Sequence, residues 1–322
     1  MSFSRDIKLQ IMEHKLTNDC CELAFLCGLF HSCGQIKIEN GQADLYLSTD
    51  LQKMYDFIND TLSSLYGEYA EIEIVDEYKI NKTTYYKIIF PESLSYRLLL
   101  DTGMIKFDEK NQLVKNEIVQ NEILQDDCCR RSFVKGCFLG CGTSSIKLSE
   151  EPNVKTRSGY HIEFTSHNHD FLQSLSEILA GYNILPKLIS RRNLFVLYVK
   201  EASQISDLLA LLEAFDCALE LNSELAKREL RNKVNRQTNC MSGNISKMVN
   251  ASLRQTKAIS AINDIVGLES LPMDLQLIAL LRLANPEESL DDLIKIGGLS
   301  LTKSGLNHRL KKLEKIAEEL EK

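Results

Sequence analysis

CCELAFLCGLFHSCG, residues 20–34, and CCRRSFVKGCFLGCG, residues 128–142, align without a gap. Seven of the fifteen positions are identical: Cys20/Cys128, Cys21/Cys129, Phe25/Phe133, Gly28/Gly136, Phe30/Phe138, Cys33/Cys141 and Gly34/Gly142. That density of matches on Cys, Phe and Gly is hard to obtain by chance, so the chain contains an internal duplication. The likeness continues downstream. ADLYLST alternates as a strand does, and an apolar series at helical spacing follows it: Met54, Ile58, Leu62 and Leu65. The second copy answers with YHIEFTS and then Phe171, Leu175, Leu179 and Tyr182 at the same intervals. Two further strand patterns come next in each copy, AEIEIV with TYYKIIF and NILPKLI with LFVLYV. PESLSYRLLLD and EASQISDLLALLEAF close the copies as short helices.

The repeat unit therefore reads α-β-β-α-β-β-α, over about 20–101 and 128–215. Between the copies lies a connector rich in Asp, Glu, Asn and Gln, and before them an N-terminal arm, 1–19. Each copy can cover only one face of its sheet, so the two are expected to pair around their first helices as a pseudo-twofold α+β domain, 20–215. Gly28 with Ser32, and Gly136 with Gly140, form small-x-x-x-small stripes at the same register in both copies. Such stripes let helix backbones approach closely. Gly34 and Gly142 stand where a helix takes a left-handed C-terminal cap.

LCGLFHSCG (26–34) and VKGCFLGCG (134–142) resemble the paired motifs of single-chain LAGLIDADG homing endonucleases. In that family the residue before the final glycine of each motif is acidic and holds the divalent metal for phosphodiester cleavage. Those positions are Cys33 and Cys141 here. A thiol is a poor ligand for Mg²⁺, which takes hard oxygens. The resemblance thus implies the scaffold without the catalyst, with no catalytic residues. Three features together resemble the WhiA family: the Cys-Cys-headed repeats, RELRNKVNRQTNC (228–240) and LTKSGLNHRLKKLEKIAEEL (301–320). Its members are bacterial proteins joining a degenerate LAGLIDADG domain to a DNA-binding domain, associated with sporulation and cell division. The resemblance implies double-stranded DNA as partner and a nucleoid-associated, cytoplasmic protein.

From Leu221 onward the chain reads as helices, at about 222–236, 243–265, 272–284, 289–296 and 302–320, forming a helical DNA-binding domain over 216–322. Gly297-Gly298-Leu299-Ser300-Leu301 joins the last two as the turn of a helix-turn-helix at about 278–312, and Thr302 is a natural N-cap. Leu306, Leu310, Leu313, Ala317 and Leu320 make the inward stripe of the final helix. Ser304, Asn307, His308, Lys311 and Lys315 project on the opposite side, with Lys303, Arg309 and Lys312 on the flanks. The second helix of such a motif reads base edges in the major groove. Asn307 suits adenine, and the lysines with Arg309 suit guanine or phosphate.

Net charge is −7 overall, but residues 216–322 hold 16 Lys and Arg against 15 Asp and Glu, leaving 22 against 30 before them. Residues 225–262 carry eight basic side chains against Glu229 alone, a local +7 that steers polyanions. Arg228, Arg231, Lys233 and Arg236 in that stretch are expected along phosphates. The saddle face of the repeats looks less suited to DNA: Glu39, Asp44, Glu71 and Glu73 of the first copy would repel phosphate, against Lys147, His161, Arg191 and Arg192 of the second. Binding a protein partner or setting DNA orientation is the expected role of that domain.

No apolar run approaches a membrane span, and MSFSRDIKLQIMEHKL has no signal-peptide pattern. Ten cysteines in 322 residues are then reduced thiols. No C-x-x-C occurs, so neither a metal nor another cofactor is expected. Cys20-Cys21 and Cys128-Cys129 converge only if the two motif helices pack side by side, which would suit a zinc or thiol sensor; otherwise they are small buried hydrophobes. His161, His167 and His169 read as polar loop residues. The rival to a DNA-binding regulator is a metal-dependent endonuclease, which needs carboxylates at 33 and 141.

Overall fold

The computed structural model describes residues 2–75, 84–146 and 159–321; Lys147 therefore lies outside the described residues. The chain divides into two compact units, Met1–Ala226 and Lys227–Lys322.

In the first unit the duplication is realised element by element. The first copy runs α2 (Asp19–Cys33), β1 (Gln35–Glu39), β2 (Gln42–Thr49), α3 (Gln52–Tyr66), β3 (Glu71–Val75), β4 (Tyr85–Ile89) and α4 (Glu92–Asp101). The second runs α5 (Asp127–Cys141), β7 (Gly142–Ser144), β8 (Ile162–Ser166), α6 (His169–Ala180), β9 (Lys187–Arg191), β10 (Leu194–Val199) and α7 (Ala202–Leu211). Both sheets are antiparallel with the same strand order, β1-β2-β4-β3 and β7-β8-β10-β9. Alternation in β2 sends Ala43, Leu45 and Leu47 inward and leaves Asp44 and Ser48 exposed, the period-two pattern of a sheet covered on one face.

The central helices α2 and α5 are buried over most of their length, because each packs on its partner and on the sheets. A Cβ on Gly28 would collide with the Phe133 carbonyl oxygen, and one on Gly136 with the Phe25 carbonyl oxygen. Phe25 and Phe133 are the aligned pair, so the collisions are reciprocal, as a pseudo-twofold axis between the helices requires. Gly140 likewise abuts the Ser32 hydroxyl, which completes the small-residue stripe.

Gly34 and Gly142 differ from expectation. They lie at φ −67° and −78°, extended rather than left-handed, because each helix passes directly into a strand without a turn. Glycine is needed there for space: a Cβ on Gly34 would be 2.7 Å from the Phe30 carbonyl oxygen, and one on Gly142 2.5 Å from the Phe138 ring.

Two segments outside the repeats are more ordered than their sequence suggested. Within the N-terminal arm, α1 (Phe3–Ile11) buries Phe3, Ile7 and Ile11 in the common core, and Ser4 exchanges hydrogen bonds with Ser144 of β7. The connector contains a hairpin of β5 (Ile105–Phe107) and β6 (Leu113–Lys115). Asp108 Oδ1 accepts from the amides of Lys110 (2.9 Å) and Gln112 (2.8 Å), which sets its turn.

The second unit is helical. One helix, α8 (Phe215–Ile265), replaces the two expected at 222–236 and 243–265. It is followed by α9 (Met273–Ala284), α10 (Leu290–Ile296) and α11 (Lys303–Leu320). Ile259 and Ile262 join Leu275, Ile278, Leu293, Leu306, Leu310 and Leu313 in a separate core. Among the described residues no helix is long and apolar enough to cross a membrane.

Candidate nucleic-acid interface

The reading helix is built by its ends and its buried stripe. At the turn, Gly298 is left-handed (φ +57°) and the Leu299 amide donates to the Ile294 carbonyl (3.0 Å), closing α10 in a Schellman-type cap. A Cβ on Gly297 would strike the Leu281 side chain, so the turn sits hard against α9. The Thr302 hydroxyl then accepts from the Gly305 amide (3.1 Å) and starts α11. With Leu306, Leu310, Leu313 and Ala317 buried, the opposite side is fixed outward.

Lys303, Ser304, His308, Lys311 and Lys312 are exposed; Asn307 and Arg309 are half-buried. Lys303 Nζ lies 2.5 Å from Asp291 at the start of α10, and Arg309 Nε 3.3 Å from Asp274 at the start of α9. These exposed pairs orient the two side chains. Such pairs are worth about 0–1 kcal/mol, so a phosphate can displace the carboxylate. Lys311 and Lys312 take part in no ion pair among the described residues. The last turns of α9 are secured by Arg282, 2% exposed, whose Nη1 donates to the Glu288 carbonyl (2.9 Å).

On α8, Lys233 and Arg236 are exposed; Arg228 and Arg231 are half-buried and engage other groups of the protein. At 100° per residue Arg228, Arg231 and Arg236 fall within about 140° of one another, and Lys233 lies a further 60° or so round the helix. Residues 232–250 are exposed on every face.

Cys33 and Cys141 stand at the C-terminal ends of α2 and α5. Cys33, half-buried, contacts the Leu29 carbonyl (3.4 Å), and Cys141 is 8% exposed. Burial pushes their thiols up to about 11 and 12, so both are neutral at pH 7. Lys8 of α1 is close enough to act electrostatically on both; burial lowers its own pKa, against the opposing pull of Asp50. Lys8 and two neutral thiols thus lie near one another at the ends of the central helices. The apolar series Phe3, Ile7, Ile11 could have signalled this helix, but its link to Cys33 and Cys141 is purely tertiary.

On the sheets, Glu39, Asp44, Glu71 and Glu73 are exposed on the first copy, with Glu39 paired to Lys37 (3.0 Å) and Glu73 to Lys87 (3.9 Å). The second copy presents Lys187, Arg191 and Arg192, and His161 is bound to Glu163 (2.8 Å) over the Tyr198 ring. His167 and His169 bond to the Asn193 carbonyl (3.0 Å) and Asp170 (3.2 Å). At the opposite ends of α2 and α5 from Cys33 and Cys141, the sulfurs of Cys20, Cys21, Cys128 and Cys129 lie within 4.8 Å of one another. Spacing rules missed this cluster because each repeat contributes only an adjacent pair.

Duplicated αββαββα halves around close-packed motif helices, without carboxylates at the helix ends, and a capped helix-turn-helix define a degenerate LAGLIDADG protein fused to a helix-turn-helix domain. Family models agree along most of the chain: WhiA N-terminal LAGLIDADG-like domain at 19–105, WhiA LAGLIDADG-like domain at 130–231 and WhiA C-terminal HTH domain at 234–317. The chain belongs to the WhiA family. Relatives named "Probable cell division protein WhiA" are 35% identical in Clostridium botulinum over 99% of both chains, and 34% in Clostridium novyi over 100% of this chain and 99% of that one. In Alkaliphilus oremlandii the identity is 32%, over 100% and 98%. The crystal structure of full-length DUF199/WhiA from Thermatoga maritima covers 99% of both chains with a TM-score of 0.58 at 24% identity, a likeness of fold.

Proposed function

We propose that this protein is a sequence-specific, non-catalytic binder of double-stranded DNA, acting in bacterial transcription, cell division, chromosome segregation or sporulation. One observation carries the reading: α11 is capped and buried along one stripe, so that Ser304, Asn307, His308, Lys311 and Lys312 lie together on its other side. In the proposed complex Asn307 and His308 read base edges, Lys303, Ser304, Arg309, Lys311 and Lys312 contact base edges and phosphates, and Arg228, Arg231, Lys233 and Arg236 add phosphate contacts without sequence information. Binding places the protein with the nucleoid in the cytoplasm. The acidic sheet of the first repeat favours a protein partner for the LAGLIDADG-like domain over direct DNA contact.

The test is selection of preferred duplexes from a randomised library, followed by a panel with single base-pair changes. Asn307→Ala and His308→Ala should each cost about 1–3 kcal/mol against the preferred site and relax preference at one or two base pairs. Unchanged relative affinities across the panel remove α11 from the groove.

A further inference from the structure

The Cys20/Cys21 and Cys128/Cys129 pairs occupy the same two positions in the first turns of α2 and α5. Because Gly28 and Gly136 draw those helices together, the four sulfurs come within 4.8 Å of one another. Cys21 and Cys129 are buried, Cys128 is half-buried and Cys20 is exposed, so the cluster is accessible from one side only. The Thr17 hydroxyl donates to Cys21 Sγ (3.7 Å), an outer contact of the kind that orients a ligand.

The dimensions suit one ion. A Zn–S bond of about 2.3 Å puts the sulfurs of a tetrahedral site roughly 3.8 Å apart, about an ångström closer than the widest separation here. Side-chain rotation covers that difference. Neither Asn18 nor Asp126 makes a side-chain capping hydrogen bond, and all four cysteines lie in first turns, where the positive end of a helix favours thiolate. Soft thiolates favour Zn²⁺ over Mg²⁺ or Ca²⁺.

We propose that Cys20, Cys21, Cys128 and Cys129 form a tetrathiolate Zn²⁺ site that clamps the two repeats together at the head of their central helices. Four protein ligands leave no open position, so the ion is structural and does not activate water. Binding exchanges thiol protons for the metal, the protons go to solvent, and no sulfur is oxidised. The proposal is independent of DNA binding.

The experiment uses the full chain, without a metal-binding tag, reduced and stripped with chelator. Titration with Co²⁺ should give one equivalent per chain, with thiolate-to-cobalt charge transfer in the near ultraviolet and strong tetrahedral d–d bands. Zn²⁺ should displace the cobalt and raise the thermal midpoint. Cys20→Ser with Cys128→Ser alters the two less buried ligands and should weaken binding by about 100-fold or more, while Cys240→Ser leaves it unchanged. Alkylation of the unmutated protein provides a readout that needs no variant: Zn²⁺ should protect these four thiols and not Cys240. Cobalt binding without charge transfer, unaltered affinity in the double variant, or equal alkylation with and without zinc overturns the site. So does a reduced protein that takes up no cobalt.

Discussion

His31 sits in α2 two residues before Cys33, its ring stacked on Phe171 with centroids 5.7 Å apart and its Nε2 buried without a hydrogen-bond partner. Burial, with a smaller push from Lys115, brings its pKa down from 6.5 to about 4. The fold therefore holds the neutral ring, while the unfolded chain protonates at the ordinary value. Stability from this group is complete above pH 6.5, falls as pH drops from 6.5 to about 4, and falls no further below that. The shift corresponds to about 3 kcal/mol. Its counterpart in the second repeat is the buried Leu139, so His31→Leu should keep the packing and remove this part of the acid sensitivity. Urea unfolding followed by far-ultraviolet circular dichroism, in a chain with no Trp, checks it at pH 7, 5.5 and 4.5. Parallel pH dependence in both proteins refutes the assignment. At this scale the sequence showed Gly28 and Gly136 clearly, because a repeated small residue has one simple use between helices. It did not show the conformation of Gly34 and Gly142. Glycine serves both a left-handed cap and a crowded extended backbone, and only the neighbouring Phe30 and Phe138 decide which.

Among the elements, α11 was legible because its cap, apolar stripe and preceding Gly-Gly turn all point the same way. The continuity of α8 was not. QTNCMSGN (237–244) contains weak helix formers, and Gly243 costs about 1 kcal/mol relative to Ala, but no proline interrupts the hydrogen bonding. With 232–250 exposed all round, no burial pattern marks the helix there. That exposure makes Lys233 and Arg236 a clean test of the proposed phosphate contacts. Counterion release gives a slope of log K against log[salt] of about −0.9 per contact. Lys233→Gln with Arg236→Gln should therefore reduce the slope by about 2 and weaken specific and non-specific duplexes alike, leaving base preference intact. Fluorescence anisotropy at several salt concentrations measures both. An unaltered slope takes this part of α8 off the DNA.

For the whole molecule, the duplication was the feature most open to reading, since symmetry writes the same packing problem into the chain twice. Groups assembled from distant segments were legible only in part: the meeting of the four thiols followed only if the motif helices pack side by side, and the Lys8–Cys33–Cys141 group, drawn from three separate segments, was not foreseen. The second group decides the last prediction, that the protein binds plasmid DNA without cutting it. Metal-assisted cleavage needs oxygen ligands to hold the cation, polarise the phosphate and activate water. Cys33 and Cys141 are neutral thiols, His31 is half-buried with its Nε2 enclosed and is matched by Leu139, and the nearby basic group is Lys8. Restoring carboxylates with Cys33→Asp and Cys141→Asp should still give no nuclease. Lys8 would pair with the new carboxylates in competition with Mg²⁺, and Glu71 and Glu73 stay exposed on the first sheet, opposing phosphate approach. Supercoiled plasmid incubated with either protein in Mg²⁺ or Mn²⁺ should remain supercoiled. Stoichiometric nicking by the unmutated protein, abolished by Cys141→Ser, would place a working centre at the helix ends and overturn the non-catalytic reading. Cleavage by the double variant alone would show instead that Lys8 and the acidic sheet are no barrier, and that the loss of two carboxylates is all that separates this fold from a nuclease.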